Sequence, residues 1–251
     1  MNAELELAEA EAFGSLFESA GLPVLRIAGA VCFAAPGVPD IQLNRVAALG
    51  VARPPTDEEL GEIEAFFVAA GTRCAISTAD PALGDRLRAR GYTAGYSWMK
   101  FARDSSPPAA PAGTQLTVEE TADPLEFGRT VGTAFGLPDA VASFFGGIVG
   151  REGWTMLVAR DGVTPVGGAA LFVHRGVGWL GIAGTLPEHR GKGAQNALLA
   201  ARIERGRELG AHAFTTETGE QVAGRPGGSY RNILRAGFAE SYLRPNFAAP
   251  E

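Results

Sequence analysis

Residues 185–209 read TLPEHRGKGAQNALLAARIERGREL and contain a glycine-rich turn followed by a helical pattern. The apolar run at residues 177–183 precedes this stretch and is typical of a buried strand. After the turn RGKGAQ at residues 190–195, apolar residues recur with helical spacing at Ala194, Ala197, Leu198 and Ala201. The pattern therefore predicts a strand that passes through a glycine-rich turn into a helix.

Such a turn favours the binding of an anion. The first backbone N–H groups of a helix have no partner within the helix, and the helix dipole attracts negative charge. Gly191 and Gly193 carry no Cβ, so a phosphate can approach their backbone closely. Arg190 and Lys192 add positive charge. The alternative interpretation is an ordinary loop-to-helix turn whose basic side chains are solvated.

Two common nucleotide-binding motifs do not fit this turn. The P-loop pattern requires Ser or Thr after Gly-Lys, but Gly193 follows Lys192 here. The Rossmann pattern GxGxxG, started at Gly191, requires a glycine where this sequence has Asn196.

The stretch resembles the acetyl-CoA motif of the GNAT superfamily of N-acetyltransferases, in which a strand and V-x-P precede [RQ]-x-x-G-x-[GA] at a helix start. Arg190 and Gly193 match that pattern, whereas Thr185 replaces the usual Val and Gln195 replaces Gly or Ala. The end of the chain is also similar: SYR at residues 229–231 and LRAGF at 234–238 resemble the family's S-x-R…G-F ending. The resemblance extends over residues 115–247.

This resemblance implies acetyl transfer from acetyl-CoA, as cosubstrate, to a primary amine that attacks the thioester directly. It implies that the N–H of Ala183 points at the thioester oxygen and that Thr185 pairs with the pantetheine arm. The implied cofactor-binding residues are Ala183, Gly184, Thr185, Arg190, Gly191, Lys192, Gly193, Ala194, Gln195 and Ser229. We expect no metal ligand set, since the sequence shows no metal-ligand spacing.

Two residues are candidates for proton transfer. Glu217 ends the strand after the long helix and is the candidate general base; the alternative is a solvated loop carboxylate. The family often has an acidic Tyr four residues before the G-F glycine, but Ile233 occupies that position. Tyr230, one helical turn earlier, is the candidate general acid, and a packed or surface tyrosine is the alternative.

The first half of the chain repeats part of the second. LRARGY at residues 87–92 echoes LRAGF at 234–238, and each follows a helix and a short strand. The first copy has Arg53-Pro54-Pro55 at its turn, and proline has no N–H to offer a phosphate. The alternative is that two α/β segments share this ending by chance.

We therefore predict an α/β (α+β) protein of tandem GNAT-like domains, each a mixed, mostly antiparallel sheet flanked by helices. The predicted boundaries are 1–103 for a degenerate domain without the CoA motif, 104–114 for a Pro/Ala-rich linker and 115–251 for the catalytic domain.

Composition limits the other possibilities. The 251 residues carry a net charge of −6 and no Lys/Arg-rich run, which argues against nucleic acid as a partner. No apolar run reaches the length of a membrane span, and the start of the chain lacks the pattern of a signal peptide, so we expect a cytoplasmic protein with no membrane partner. Cys32 and Cys74 are expected to be buried thiols. The expected acceptor is a small-molecule or peptide amine, and a homodimer is possible.

Two other functions stay open at this stage. One is a catalytically silent acyl-CoA sensor or interaction module, and the other is a nucleotide-binding regulator that uses the same turn. The glycine-rich loop at residues 219–228 is predicted to cover the acceptor side of the thioester, with Arg225 directed toward the substrate.

Overall fold

The computed structural model describes residues 3–38, 40–109, 114–138, 142–221 and 227–250. Its helices are α1 Ala3–Ser19, α2 Asp57–Ala69, α3 Pro81–Ala89, α4 Pro124–Ala134, α5 Ala142–Gly146, α6 Ala194–Glu208 and α7 Gly228–Arg235. Its strands are β1 Val24–Ile27, β2 Ala30–Ala34, β3 Asn44–Ala47, β4 Ala75–Ser77, β5 Thr93–Asp104, β6 Thr117–Glu120, β7 Trp154–Asp161, β8 Thr164–His174, β9 Val177–Thr185, β10 Ala213–Gly219 and β11 Ala239–Ala248.

The chain forms two compact units. The first comprises residues 1–100 and 241–251, and the second comprises residues 101–240. Both divisions fall within strands, one in β5 and the other in β11. The predicted linker is residues 104–114, of which 110–113 lie outside the described residues. The domain boundaries predicted from the sequence therefore stay a prediction.

In the first unit, antiparallel strands lead to one parallel pair. Strands β1, β2 and β3 are antiparallel neighbours. Helix α2 connects β3 to β4, and these two strands pair in parallel. On its other side, β4 pairs antiparallel with the end of β11, and the start of β5 lies next to β11. The core of this unit is apolar and includes Ile63 and Phe67 of α2. Cys32 and Cys74 are free and buried within it, as predicted.

The second unit repeats this pattern. Strands β6, β7, β8 and β9 are antiparallel neighbours, and β9 then pairs with β10 in parallel through α6. Helices cover both faces: a Cβ added at Gly167 would lie 3.5 Å from Leu198 of α6, and one at Gly168 would lie 2.9 Å from Val131 of α4. Because consecutive residues of a strand point to opposite faces, α4 and α6 lie on opposite faces of the sheet. The predicted fold class is confirmed.

The sequence predicts a β-rich segment at residues 22–35 and a second strand at residues 42–51, and the structure refines both predictions. Residues 22–35, read as one β-rich segment, form the hairpin β1–β2, because Ala28 and Gly29 take positive φ angles of 54° and 76° and reverse the chain. The strand predicted at residues 42–51 is shorter, because Ala48 has a φ of 61° directly after β3.

The sequence offers Thr56 or Asp57 as the cap of α2 and Asp123 as the cap of α4, and a cap is confirmed at each helix. The side chain of Asp123 accepts hydrogen bonds from the N–H groups of Leu125 and Glu126 at the start of α4. Thr56, one of two candidates for the cap of α2, accepts from the N–H of Glu59. The sequence also predicts a short helix from Asp139 to Val149. Residues 139–141 lie outside the described ranges, and the described part of this helix is α5, which ends at Gly146. None of the helices in the described ranges is both long and apolar enough to cross a membrane.

Candidate functional site

Strand β9 contains a bulge in the part that precedes the glycine-rich turn. Ala170 of β8 lies opposite Gly181, and its neighbour Ala169 lies opposite Ala183, so Ile182 is an extra residue in β9. Ile182 also has a positive φ of 47°, which is unusual for a β-branched side chain. A bulge bends the strand and changes where its backbone groups point, so residues 183–185 follow a new direction.

Beyond its first three residues, β9 separates from its parallel neighbour. The pairing with β10 joins residues 177–179 to residues 213–215. One residue further, the hydroxyl of Thr216 donates to the carbonyl of Leu180 at 2.7 Å in place of a ladder bond. The two strands are therefore splayed, as the family resemblance also implies for the strand before the motif. The splay leaves the β10-facing edge of residues 183–185 outside the described pairing.

The turn after β9 has the backbone geometry of an anion site. Gly191 and Gly193 have φ angles of 79° and 90°, a region that favours glycine. Gly193 is the N-cap of α6, and no side chain in the described ranges caps this helix. A Cβ added at Gly191 would meet no atom within 4 Å, so the space above the turn is open. The first N–H groups of α6 are thus available to a ligand.

A cavity of about 710 Å³ lies over this turn. All ten predicted cofactor-binding residues line it: Ala183, Gly184, Thr185, Arg190, Gly191, Lys192, Gly193, Ala194, Gln195 and Ser229. The structure thus brings the end of β9, the turn and the start of α7 together at one cavity. That these residues bind a cofactor stays a prediction.

The described lining of the cavity is strongly basic. It includes Arg190, Lys192, Arg231 and Arg235, and no acidic side chain among the described residues, although the net charge of the whole chain is −6. Arg190 is exposed, and its guanidinium donates to the carbonyls of Thr185 at 3.3 Å and Ala134 at 3.2 Å. The cavity therefore favours a ligand with several negative charges.

The helix α7 supplies lining residues that the sequence analysis did not assign to the CoA site. They are Gly228, Arg231, Asn232 and Arg235, together with Ala134, Phe135, Asn196 and Leu198 from other elements. Gly228 among them ends the loop predicted to cover the thioester, and residues 222–226 of that loop, with Arg225, lie outside the described ranges. The spacing of the four α7 residues, i, i+3, i+4 and i+7, marks one face of a helix and was a usable signal.

The departure of Gln195 from the family pattern has a structural reason. Its side-chain oxygen accepts a hydrogen bond from the amide of Asn232 at 2.7 Å, which ties the start of α6 to α7. A Gly or Ala at this position has no side chain that can form this bond.

The two candidates for proton transfer do not line the cavity. Glu217 is partly buried in β10, two residues beyond the last residue that pairs with β9. Tyr230 is 3% exposed, and its ring packs edge-on against Phe101 with centroids 4.9 Å apart. Burial and a hydrogen bond to Glu240 raise the pKa of Tyr230, although a hydrogen bond to Gln221 opposes the shift. Tyr230 is therefore packed in the core, as in the alternative interpretation of this residue from the sequence. The catalytic roles of Glu217 and Tyr230 stay predictions.

The residues around this site match a known family. Residues 134–224 match the model of the acetyltransferase (GNAT) family. This part of the chain belongs to the GNAT family. The match includes the end of α4, the bulged strand, the anion turn and β10, and it indicates acyl transfer from an acyl-CoA.

Solved structures share the fold over a longer part of the chain. A GCN5-related N-acetyltransferase from Kribbella flavida has 22% sequence identity and a TM-score of 0.68, with 97% of this chain and 94% of that chain covered. One from Sphaerobacter thermophilus has 17% identity and a TM-score of 0.64, with coverage of 98% and 90%. A tandem GNAT protein from the clavulanic acid biosynthesis pathway has 18% identity and a TM-score of 0.57, with coverage of 84% and 75%. Among curated proteins, none matches the sequence.

Proposed function

We propose that the second unit is an N-acetyltransferase that moves the acetyl group of acetyl-CoA to a primary amine. The observation that carries the proposal is the meeting, at one cavity, of a bulged and splayed strand, an uncapped helix start and four basic side chains. The GNAT family match over residues 134–224, which include the bulged strand, the start of α6, Arg190 and Lys192, supports it.

The anion turn is suited to the pyrophosphate of CoA. The free N–H groups at the start of α6 and the side chains of Arg190 and Lys192 all border the cavity. A charge-assisted hydrogen bond from Arg contributes roughly 1.5–3 kcal/mol, whereas the helix dipole contributes about 0.3–1 kcal/mol. The side chains and amides therefore account for most of the proposed affinity.

The strand edge after the bulge is suited to the pantetheine arm and the thioester. In the proposed complex, Thr185 pairs with pantetheine as an added strand would, and the N–H of Ala183 points at the thioester oxygen. The amine nitrogen attacks the carbonyl carbon, and negative charge develops on that oxygen. A backbone amide aimed at this charge lowers the barrier because the charge is absent in the ground state. The C–S bond then breaks, and CoA leaves as a thiolate that takes up a proton.

The amine must lose a proton, since only its neutral form has a free lone pair. Glu217 is the proposed acceptor of that proton, directly or through water. Tyr230 is the proposed proton donor to the thiolate, since a tyrosine hydroxyl is protonated at neutral pH.

A silent acyl-CoA-binding module is the second candidate function. The observation that favours it is the position of Glu217 and Tyr230 outside the lining of the cavity. In either case, we propose that the first unit is a GNAT-like domain without a CoA site, since its corresponding helix α2 is capped by its own side chains.

Two measurements test these alternatives. Calorimetry with CoA and with ATP is expected to show binding of CoA and much weaker binding of ATP; equal binding would favour a nucleotide-binding regulator. Release of free thiol from acetyl-CoA, measured with a panel of primary amines, is expected to require an amine. Binding of acetyl-CoA without thiol release for any amine would favour the silent module.

A further inference from the structure

Arg202 of α6 is a buried cation that the proposed chemistry does not use. It is 1% exposed, and its polar contacts are carbonyl oxygens. Its Nε donates to Leu198 at 3.1 Å, and its Nη1 donates to both Ala170 and Gly181 at 3.2 Å. Burial is the cause of its lowered pKa, about 9, and no carboxylate in the described part of the chain pairs with it. Arg202 therefore still carries its charge at neutral pH.

The two sheet carbonyls that Arg202 holds mark one end of the bulge in β9. Ala170 and Gly181 lie opposite each other in the last regular pair before Ile182, and regular pairing resumes with Ala169 and Ala183. A bulge disrupts the local ladder of hydrogen bonds, so the backbone there has fewer groups to fix its direction. One guanidinium that binds both carbonyls restrains both strands at this point.

This arrangement is unfavourable for stability alone. Removing a cation from water without a carboxylate partner carries a large desolvation penalty, and an apolar side chain of similar volume is often as stable or more stable at such a site. Bonds from a charged donor to a carbonyl are, however, stronger and more directional than neutral ones. The buried charge of Arg202 can therefore fix the backbone geometry of the bulge.

We propose that Arg202 is a positioning residue that holds the bulge at Ile182 and thereby fixes the backbone of residues 183–185 in the acyl-CoA cavity. The inference rests on the proposed function. Arg202 does not line the cavity, so its effect passes through β9. Without it, β9 is expected to sample other registers around Ile182, and the N–H of Ala183 is expected to lose its fixed direction.

Arg202→Met tests this because Met has similar length and no charge. We expect a melting temperature equal to or above that of the wild type, since the desolvation penalty disappears. We expect faster hydrogen exchange at the amides of Ile182 and Ala183 in the free protein. We expect an affinity for CoA weaker by about tenfold, the effect of losing about one backbone hydrogen bond between residues 183–185 and the pantetheine arm. In amine acetylation, kcat is expected to fall while the KM of the amine stays constant.

Two further variants complete the test. Arg202→Lys keeps a charge but loses the planar fork, so it is expected to fall between Arg202→Met and the wild type. Arg205→Met is the matched control, because Arg205 lies on the same helix and pairs instead with Glu120 at 2.7 Å and Glu208 at 3.0 Å. It is expected to bind CoA and exchange the bulge amides as the wild type does.

The outcomes separate this inference from the proposed function. Failure of the wild type to bind CoA would reject the function, while faster exchange in Arg202→Met would still support the restraint of the bulge. Wild-type exchange, or faster exchange with wild-type CoA affinity, in a folded Arg202→Met would overturn the positioning role. If Arg202→Met does not fold, the same wild-type results in Arg202→Lys overturn it.

Discussion

Two segments of this protein have the same strand–helix–strand arrangement, but they differ in whether the start of the helix can bind an external anion. In the first unit, β3 leads through α2 to the parallel strand β4; in the second, β9 leads through α6 to the parallel strand β10. Both leading strands reach a non-glycine residue with positive φ, Ala48 at 61° after β3 and Ile182 at 47° within β9. The two segments differ most at the start of the helix.

Helix α2 supplies its own anion. Thr56 accepts from the N–H of Glu59 at 3.2 Å, and the carboxylate of Glu59 accepts from the N–H of Thr56 at 2.8 Å. Arg53 pairs with the same carboxylate. Glu59 thus occupies the role that a phosphate would have, and Pro54 and Pro55 offer no N–H. A helix start is an anion site only where the chain leaves its N–H groups without a cap, as at Gly193.

The two units also differ in how they hold buried charge. In the first unit, Glu9 is fully buried and contacts three cations, namely Arg244 at 2.6 Å, Arg45 at 3.2 Å and Lys100. In the second, the polar contacts of Arg202 within the described ranges are carbonyl oxygens. In the first arrangement, the removal of one charge leaves buried charges of the opposite sign without compensation. In the second, the charge of Arg202 can be removed without leaving another charge unpaired.

The largest expected effect concerns proton transfer. The parallel pairing begins at Ala75 in β4 and at Ala213 in β10. Four residues further along, β10 has Glu217 and the first unit has Ala79, which has no carboxylate. Glu217→Gln is expected to lower turnover with an amine by about 10²- to 10⁴-fold, with CoA affinity nearly unchanged. Turnover and its pH profile measure this. A profile and a rate equal to the wild type would reassign Glu217 as a surface carboxylate.

The second prediction concerns the buried charges of the first unit. Glu9→Gln leaves three buried cations with less compensation, so we expect a loss of about 3–5 kcal/mol in the free energy of unfolding, measured with urea at pH 7. Arg202→Met is the opposite case, with no loss expected. A free energy of unfolding of Glu9→Gln equal to that of the wild type would contradict the proposed difference in stability between the ion pairs of Glu9 and the carbonyl contacts of Arg202.

The stability from Glu9 also depends on pH. Burial by itself raises its pKa, but Arg244, Lys100 and Arg45 together hold the pKa well below its usual range. The contribution is therefore complete above the unfolded-state pKa of about 4.5 and is lost as the pH falls toward the folded-state value. The difference between the wild type and Glu9→Gln is expected to narrow below pH 4.5, and unfolding curves measured at pH 7 and at pH 3 test this.

The third prediction compares the two turns directly. Arg190→Glu replaces an attraction with a repulsion at the proposed pyrophosphate site, so CoA affinity is expected to fall by about 30- to 1000-fold. Arg53→Glu is the matched change in the first unit and is expected to leave CoA affinity unchanged. Calorimetry with CoA measures both. A folded Arg190→Glu with wild-type affinity would reject the anion turn as the CoA site.

The smallest effect is expected at the cap of α2. Thr56→Ala is expected to lower the free energy of unfolding by about 0.5–2 kcal/mol without adding a second CoA site, since the prolines remain. Hydrogen bonding to Arg53 lowers the pKa of Glu59 to about 2. Its contribution is therefore lost as the pH falls from about 4.5 toward 2, and Glu59→Gln should lack that acid dependence. Two CoA molecules bound per chain after Thr56→Ala would show that the cap alone excludes CoA and would contradict the role given to Pro54 and Pro55.

Local patterns explain what the sequence predicted well. The turn at Gly191 and Gly193 and the caps at Thr56 and Asp123 are each encoded by neighbouring residues, so their positions could be predicted. The extra residue Ile182 could not, because a positive φ at a β-branched residue has no sequence signal and depends on the partner strand.

Long-range contacts explain what the sequence left out. Asn232 reaches Gln195 from a helix 37 residues away, which only the packing of α6 and α7 defines. Arg202 lies four residues after Leu198, on the apolar side of α6, and a charged residue in that position was a signal for a buried role.

The bulge at Ile182 reverses the alternation of side chains between the two faces of the sheet within one strand. A Cβ at Gly178 would meet Phe214 and Leu171, the same two side chains that one at Gly206 of α6 would meet, whereas a Cβ at Gly184 would meet Ala134 of α4. In a regular strand, positions 178 and 184 would share a face, because they differ by an even number. Any alignment of β9 with a regular strand therefore needs a one-residue gap at Ile182, and a gap placed elsewhere assigns the intervening side chains to the wrong helix.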